Sequence, residues 1–238
     1  ADGAADAFEV KLPVRDDRRP QSERRLIELS PGEPVALPEL STQARPGTVR
    51  RSLLISDRPA LVRMAAASSF LAEYPYGCNE QRLALARAHL ALARFRKSLQ
   101  LGGGDEATKR AVQSSLEAVK ASLDPNGLVA YWPGGPGYVS LTAWTLELLA
   151  EAREAGLTPD DKLLSGLTRT LEQTLRSDYS HFSDGESRAE RAAALRALAR
   201  VGRFDEGYAA ELVRAAEYLP LESKAQVLQA FTLGKSGA

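Results

Sequence analysis

The chain has 238 residues, of which 44% are apolar and 26% charged, enough for a hydrophobic core and a soluble surface. Its 31 basic residues balance 31 acidic residues, so no net charge favours nucleic acid or an anionic membrane surface. The single cysteine excludes an internal disulfide and a zinc site built on several thiolates. No stretch approaches the roughly 20 consecutive apolar residues of a membrane span.

Residues 1–57 differ in character from the rest of the chain. Three short segments rich in apolar residues predict β-strands, at 8–14, 25–29 and 48–55. Prolines and glycines between the second and third segments mark turns. Because three short strands make a weak sheet alone, we expect them to pair with another sheet or pack on the residues that follow.

From Asp57 onward, apolar residues recur at helical spacing between short breakers. The pattern predicts about eight helices: 57–71, 79–99, 105–123, 140–155, 158–175, 186–201, 205–218 and 221–233. The loops between them are mostly short, which is typical of antiparallel helical hairpins wound in sequence.

Residues 74–81 read Tyr-Pro-Tyr-Gly-Cys-Asn-Glu-Gln and contain the only cysteine. Cys78 precedes Gln81 by three residues at the predicted start of a helix, where the helix dipole favours the negative charge of an attacking thiolate. Attack on the Gln81 carboxamide would expel ammonia and close an internal thioester. The reaction is intramolecular, so the effective concentration of the carboxamide is high.

A second motif lies in the glycine-rich aromatic loop 127–135, which contains Tyr-Trp-Pro-Gly and precedes the helix start Leu141-Thr142-Ala143. Together, the two motifs resemble the thioester domain of bacterial members of the alpha-2-macroglobulin family. The cysteine pattern there is Tyr-Pro-Tyr-Gly-Cys-x-Glu-Gln, and Asn79 occupies its variable position, where Leu or Thr is common. The resemblance covers most of residues 57–238.

The resemblance implies a mainly α fold, because thioester domains of this family are (α/α)6 toroids of about a dozen helices. With about eight predicted helices, we expect 58–238 to be an incomplete toroid that lacks its C-terminal part. Residues 1–57 are then a short N-terminal β segment, part of the adjoining CUB-like domain. The start at Ala1, without Met or an apolar signal region, favours an excised or processed piece.

The resemblance also implies a function, covalent trapping of proteases in bacterial defence. A protease cuts a bait region of the parent protein, and the exposed thioester then acylates a lysine amine of that protease. Such a protein is a single-turnover endopeptidase inhibitor and not an enzyme. Its implied partners are target proteases and the other macroglobulin domains of the parent chain, its location is the periplasm or cell envelope, and it needs no cofactor, metal or nucleic acid.

A stored thioester must be shielded from water, and the residues around the two motifs are predicted to support and shield it. Bulky rings supply the cover, Pro75 and Gly77 set the turn, and Glu80 suits the helix dipole. These residues are Tyr74, Pro75, Tyr76, Gly77, Glu80, Tyr131 and Trp132. By resemblance, His181 is a candidate acyl-transfer histidine, although a solvent-exposed loop histidine is the alternative interpretation.

Two other functions remain open from the residues alone. A lone cysteine is usually a small buried hydrophobe, and Asn-Glu-Gln at a helix start is ordinary capping composition. The chain is then a non-reactive helical binding module with Cys78 in its core. The second alternative is an α/α-toroid enzyme such as a glycosidase or terpene cyclase, or an enzyme with transglutaminase chemistry. Those need acidic pairs, an Asp-rich motif or a Cys/His/Asp set, and none is evident in the sequence.

Overall fold

The computed structural model describes residues 9–12, 21, 23, 25–39, 44, 47–60, 62–63, 77–99, 105–176, 178–182 and 187–236. The backbone forms two compact units, Ala1–Leu53 and Leu54–Ala238. The division lies a few residues before the boundary expected at residue 57.

The described residues of the predicted N-terminal strands do not form a sheet. Residues 9–12, 25–29 and 48–55 have no regular secondary structure, and their apolar side chains, such as Leu12 and Leu26, are exposed. The strand predictions are therefore wrong at these positions. An extended segment becomes a strand only when a neighbour satisfies its backbone groups, and none of the described residues pairs with these segments. The assignment of residues 1–57 to a CUB-like domain stays a prediction.

The helices of the second unit begin and end close to the positions that the sequence predicts. They are α1 Asn79–Leu99, α2 Asp105–Lys120, α3 Val139–Glu154, α4 Asp161–Thr174, α5 Ser187–Arg200, α6 Glu206–Arg214 and α7 Leu221–Ser236. Residues 59–60 and 62–63 are helical too, and the rest of the predicted helix 57–71 past 63 lies outside the described residues.

One predicted helix ends earlier than expected. The helix expected over 205–218 stops at Arg214, and a 3-10 turn follows at Ala216–Tyr218. Leu219 is extended, with ψ of 134°. Proline disfavours the helical conformation in the residue before it, so Pro220 accounts for the extended Leu219 and for the end of the 3-10 turn.

The seven helices pack in two alternating layers. In the first layer α1 packs on α3, α3 on α5 and α5 on α7. In the second layer α2 packs on α1, α4 on α3 and α5, and α6 on α5 and α7. Leucine and alanine side chains fill the space between the layers, including Leu83, Leu146, Leu149, Leu167, Leu195 and Leu198. This alternation confirms a mainly α fold of the α/α-toroid type.

A short hairpin joins α2 to α3 and carries the second sequence motif. Strand β1, Val129–Ala130, pairs antiparallel with β2, Gly137–Tyr138. The Asp124 carboxylate fixes the base of the hairpin by accepting hydrogen bonds from the backbone N–H groups of Leu128 (2.8 Å) and Gly137 (3.3 Å). A Cβ on Gly137 would lie 2.3 Å from the Leu128 Cβ, so only glycine fits there.

Ion pairs connect the middle of the first layer. Arg87 on α1 contacts two carboxylates of α3, Glu147 at 3.5 Å and Glu151 at 2.6 Å. From the other side, Arg196 on α5 contacts Glu147 at 2.6 Å. The Glu147 side chain is only 3% exposed. A buried charge is costly without a partner, and the two arginines neutralise this one within the fold. Arg87, Glu147, Glu151 and Arg196 are called the ion-pair row below.

Candidate functional site

Cys78 and Gln81 meet at the first turn of α1. Cys78 directly precedes the helix and is buried, with 8% of its surface exposed. The side-chain oxygen Oε1 of Gln81 accepts a hydrogen bond from the Cys78 backbone N–H at 3.2 Å. This is a capping geometry, in which the third residue of a helix bonds back to the N-cap residue. The capping interpretation is therefore correct for Gln81, and the same bond brings its carboxamide back to the cysteine.

The bond lies where an attack by the cysteine on the carboxamide would need a hydrogen-bond donor. Attack of Cys78 Sγ on Gln81 Cδ would place negative charge on Gln81 Oε1. The Cys78 N–H already donates to that oxygen, and such a fixed donor stabilises the developing charge. The N-terminus of α1 adds a partial positive charge at the same place.

Arg82 holds the turn before the cysteine. Its Nε donates to the Gly77 carbonyl oxygen at 2.7 Å, and its backbone N–H donates to the Cys78 carbonyl oxygen at 3.0 Å. A Cβ on Gly77 would lie 3.2 Å from the guanidinium, a tight approach. Gly77 thus lies directly before Cys78, and its role in setting the turn stays a prediction. Tyr74, Pro75 and Tyr76 lie outside the described residues, and their supporting and shielding roles stay predictions.

The two sequence motifs are in direct contact. The backbone N–H of Asn79 donates to the Tyr131 carbonyl oxygen at 3.0 Å. The Asn79 side-chain Nδ2 donates to the Ala130 carbonyl oxygen at 2.7 Å, across 51 residues of sequence. The start of α1 therefore docks on the hairpin loop, immediately beside Cys78.

Tyr131 is the less exposed of the two aromatic residues predicted to shield the cysteine. The Tyr131 ring packs edge-on against Tyr138, with ring centres 5.0 Å apart, and is 37% exposed against 54% for Trp132. Burial raises the pKa of the Tyr131 phenol, and the nearby charges of Glu80 and Cys78 raise it further. The Tyr131 phenol is thus kept neutral, and the shielding roles of both aromatic residues stay predictions.

Thr142 fixes the loop to α3, and sequence reasoning gave it no individual role. Its Oγ1 accepts from the Val129 N–H at 2.8 Å and donates to the Tyr138 carbonyl oxygen at 2.7 Å. One buried hydroxyl therefore bridges both strands of the hairpin. The available signal was a polar residue inside an otherwise apolar helix start, Leu141-Thr142-Ala143.

A groove of about 410 Å³ opens beside the site. Glu80 and Tyr131 form part of its wall, and Trp144 and Glu222 form another part. Arg87 lies over the Trp144 ring, 5.5 Å from its centre. Glu80 is exposed and faces this opening, so its carboxylate is part of the groove surface next to the cysteine.

His181 lies in the exposed loop 178–182. Its ring packs edge-on against Tyr179, with ring centres 5.5 Å apart. Burial, with the charges of Asp124 and Glu190, raises the pKa of Tyr179 to about 12. Among the described residues no contact joins His181 to Cys78 or Gln81, and its role in acyl transfer stays a prediction.

The described part of the chain contains no group of three or more His, Cys, Asp or Glu side chains placed to hold a metal ion. Within the same residues, no helix is both long and apolar enough to cross a membrane.

The chain is similar in sequence to a known bacterial protein. No protein-family model matches the chain. Alpha-2-macroglobulin of Escherichia coli K12 is 31% identical over 152 residues, which cover 60% of this chain. The chain spans only about 9% of the length of that relative.

Solved structures show the same fold. Native E. coli alpha-2-macroglobulin from domain MG7 to the C-terminus superposes with a TM-score of 0.64 at 22% identity, over 72% of this chain and 28% of that one. The native conformation of the whole E. coli protein gives 0.64 at 22%, over 74% and 12%. Salmonella alpha-2-macroglobulin reacted with methylamine gives 0.60 at 25%, over 73% and 12%. The resemblance is thus confirmed: in sequence and in fold, this chain is similar to a segment of the bacterial alpha-2-macroglobulins.

Proposed function

We propose that Cys78 and Gln81 form an internal thioester, and that the chain is the thioester-bearing part of a bacterial alpha-2-macroglobulin-type protease inhibitor. The hydrogen bond from the Cys78 N–H to Gln81 Oε1, beside a buried thiol, carries the proposal. It holds the Gln81 carboxamide at the backbone of Cys78, in the same turn as the thiol, and polarises the carbonyl group.

The proposed closing step is balanced within the two side chains. The Cys78 sulfur attacks Gln81 Cδ, and the C–N bond of the carboxamide breaks as the C–S bond forms. Ammonia leaves, taking up the thiol proton. The Cys78 N–H stabilises the charge on Oε1 during the attack.

In the proposed trapping step the Cys78 sulfur is the leaving group, whereas in the closing step it is the nucleophile. An amine of the target, such as a lysine Nζ, attacks the Gln81 carbonyl carbon, and the C–S bond breaks. Cys78 leaves as a thiolate and takes up the proton that the amine nitrogen loses, and an isopeptide bond joins Gln81 to the target. Each molecule reacts once, so the parent protein acts as an inhibitor and not as an enzyme.

The relatives support this assignment. Besides the methylamine-reacted Salmonella protein, E. coli alpha-2-macroglobulin has been solved in a trypsin-activated form and in a form activated by porcine elastase. By analogy, target proteases are the proposed covalent partners, the remaining macroglobulin domains are the structural partners, and the periplasm or cell envelope is the location.

The groove beside the site is the proposed path of the incoming amine. Its lining includes Glu80, in the first turn of α1, and Tyr131, whose backbone carbonyl is bonded to the residue after Cys78. Its charged lining consists of the exposed Glu80 and Glu222 carboxylates and of Arg87 and Arg196, whose charges are paired with Glu147 and Glu151. The two exposed carboxylates attract a protonated amine to the groove, and its deprotonated form is the nucleophile. Movement of the Tyr131 ring is then what exposes the thioester.

The intact mass of the purified chain tests the proposal. A thioester lowers the mass by about 17 Da through loss of ammonia, and methylamine then adds about 31 Da and frees one thiol. Cys78→Ala and Gln81→Ala should each abolish both changes. Gln113→Ala is the matched control, because it removes an exposed glutamine of α2 and should leave both changes intact.

Three observations on the untreated and methylamine-treated chain would together contradict the thioester. A full sequence mass, no uptake of methylamine and alkylation of Cys78 by iodoacetamide in untreated protein would contradict the proposal. That outcome would favour the binding module, in which the buried Cys78 is a core residue.

A further inference from the structure

Asn79 makes two hydrogen bonds that do not belong to its own helix. Its backbone N–H donates to the Tyr131 carbonyl oxygen at 3.0 Å, and its side-chain Nδ2 donates to the Ala130 carbonyl oxygen at 2.7 Å. Two consecutive carbonyls of the hairpin loop are thus held by one residue. Asn79 is only 2% exposed and Ala130 is fully buried, so water does not compete for the bond between them.

This use of asparagine differs from capping. An asparagine at a helix start ordinarily bonds the N–H groups of its own first turn through its side-chain oxygen. Here the side-chain amide nitrogen is committed instead to a carbonyl 51 residues away. The bond therefore contributes to docking between the two motifs and not to initiation of α1.

The docking determines how well the cysteine is covered. Cys78 directly precedes Asn79, and Gln81 lies two residues after it in the same turn. Tyr131, whose carbonyl accepts one of the bonds, also carries the ring that we propose as the cover of Cys78. Any movement of the loop away from Cys78 must break both Asn79 bonds, so their strength limits how often the site opens.

We propose that Asn79 is a positioning residue that clamps the Cys78–Gln81 turn to the hairpin loop and so lengthens the lifetime of the thioester. The inference rests on the proposed function, because it concerns the protection of that bond. Asn79 does not itself react. It keeps water and amines from the Gln81 carbonyl by holding Tyr131 in place.

Two substitutions separate the clamp from a helix-capping role. Asn79→Leu keeps the approximate size of the side chain and removes the donor. Asn79→Asp turns an oxygen toward the Ala130 carbonyl, which is repulsive, yet an aspartate at the start of a helix favours the helix itself. Thr145→Val is the matched control, because it removes a buried hydroxyl of α3 that bonds only the Leu141 carbonyl of its own helix.

The measurement is the rate at which a free thiol appears in amine-free buffer and in methylamine, together with the melting temperature of each variant. We expect both thiol-release rates to rise roughly five- to tenfold in Asn79→Leu, the factor that one lost buried hydrogen bond produces in an opening equilibrium. We expect a larger rise in Asn79→Asp. Thr145→Val should lower the melting temperature slightly and leave the rates unchanged.

The results that overturn the inference are distinct from those that overturn the function. Wild-type rates in Asn79→Asp, or equal rates in Asn79→Leu and Thr145→Val, would make Asn79 a structural residue only. A wild-type chain without the mass deficit would contradict the proposed function. The rate of Cys78 alkylation by iodoacetamide under native conditions then decides the clamp, since an intact clamp predicts faster alkylation in both Asn79 variants than in Thr145→Val.

Discussion

Helix α1 is held at two places by different kinds of contact. At its N-terminus, neutral hydrogen bonds attach Asn79 to the loop backbone at Ala130 and Tyr131. Two turns further along, Arg87 joins the ion-pair row through Glu147 and Glu151. The first contact surrounds the candidate thioester, whereas the second lies between helices and touches neither Cys78 nor Gln81.

The two contacts of α1 therefore have different roles: the one at Asn79 affects access to the candidate thioester, and the one at Arg87 affects the stability of the fold. The ion-pair row fixes α1 against α3 and α5, so it contributes to the free energy of unfolding of the whole unit. The junction at Asn79 adds less to that free energy but controls access of water to one carbonyl. We therefore expect substitutions in the two places to change different measured quantities.

The largest expected effect is on stability, in the ion-pair row. Glu147→Gln leaves Arg87 and Arg196 without their shared carboxylate in a largely buried position and should lower the free energy of unfolding by about 3 kcal/mol. Glu154→Gln is the control, because that side chain is 47% exposed and its pairs should be worth under about 1 kcal/mol. Urea denaturation measures both. Similar midpoints for the two variants would contradict the stabilising role of the ion-pair row.

A smaller loss of stability is expected where Thr142 bridges the two strands of the hairpin. Thr142→Val removes the hydroxyl that bridges the hairpin and leaves the Val129 N–H unpaired at a fully buried position, which should cost about 1–3 kcal/mol. Thr145→Val has the same shape change but orphans no donor, so it should cost less than about 1 kcal/mol. Denaturation and thiol release should both respond in Thr142→Val. If the two valine variants behave alike, the bridge has no role in holding the loop.

At the two aromatic residues Tyr131 and Trp132 we expect a change in the rate of methylamine uptake and none in stability. Tyr131→Ala removes the ring that we propose as the cover of Cys78 and should speed methylamine uptake on the order of tenfold, equivalent to about 1.4 kcal/mol of barrier height. Trp132→Ala removes a more exposed ring and should change the rate less. Time courses of thiol release compare the two. A faster reaction in Trp132→Ala than in Tyr131→Ala would reverse the assignment of the cover.

The smallest effect is expected away from both places, between α2 and α4. The Lys120 ammonium, 2.5 Å from Asp160, and the N–H groups that Asp160 caps lower the pKa of this carboxyl from 3.8 to about 2. Since the folded pKa is the lower one, the contribution to stability is present above pH 3.8 and is lost as pH falls toward 2. Asp160→Asn should therefore melt slightly below wild type at neutral pH and approach it near pH 2. A difference in melting temperature that does not change with pH would contradict this sign.

The sequence was most informative where structure is local. The bounds of α1 followed from the motif before Asn79 and the glycines after Leu99, and the spacing of Cys78 and Gln81 predicted that they share a turn. The strands expected at 25–29 and 48–55 were wrong because strand formation depends on a partner that a local pattern does not reveal.

Contacts between residues distant in the sequence could not be predicted either, because they also depend on partners that only the fold brings together. Asn79 occupies a variable position of the motif, and only the fold shows that its side chain reaches Ala130 across 51 residues. Thr142 likewise became a bridge only when both hairpin strands were in place. The two motifs were each visible in the sequence, but their contact was not.

Peptide mapping after methylamine treatment tests the central claim most directly. A peptide spanning Cys78 and Gln81 should carry methylamide on Gln81 and one newly alkylatable thiol on Cys78, in equal amounts and with the same time course. This stoichiometry follows from one bond whose cleavage produces both groups. A Cys78 thiol fully alkylated before methylamine is added, with Gln81 left as an unmodified carboxamide afterwards, would contradict the account.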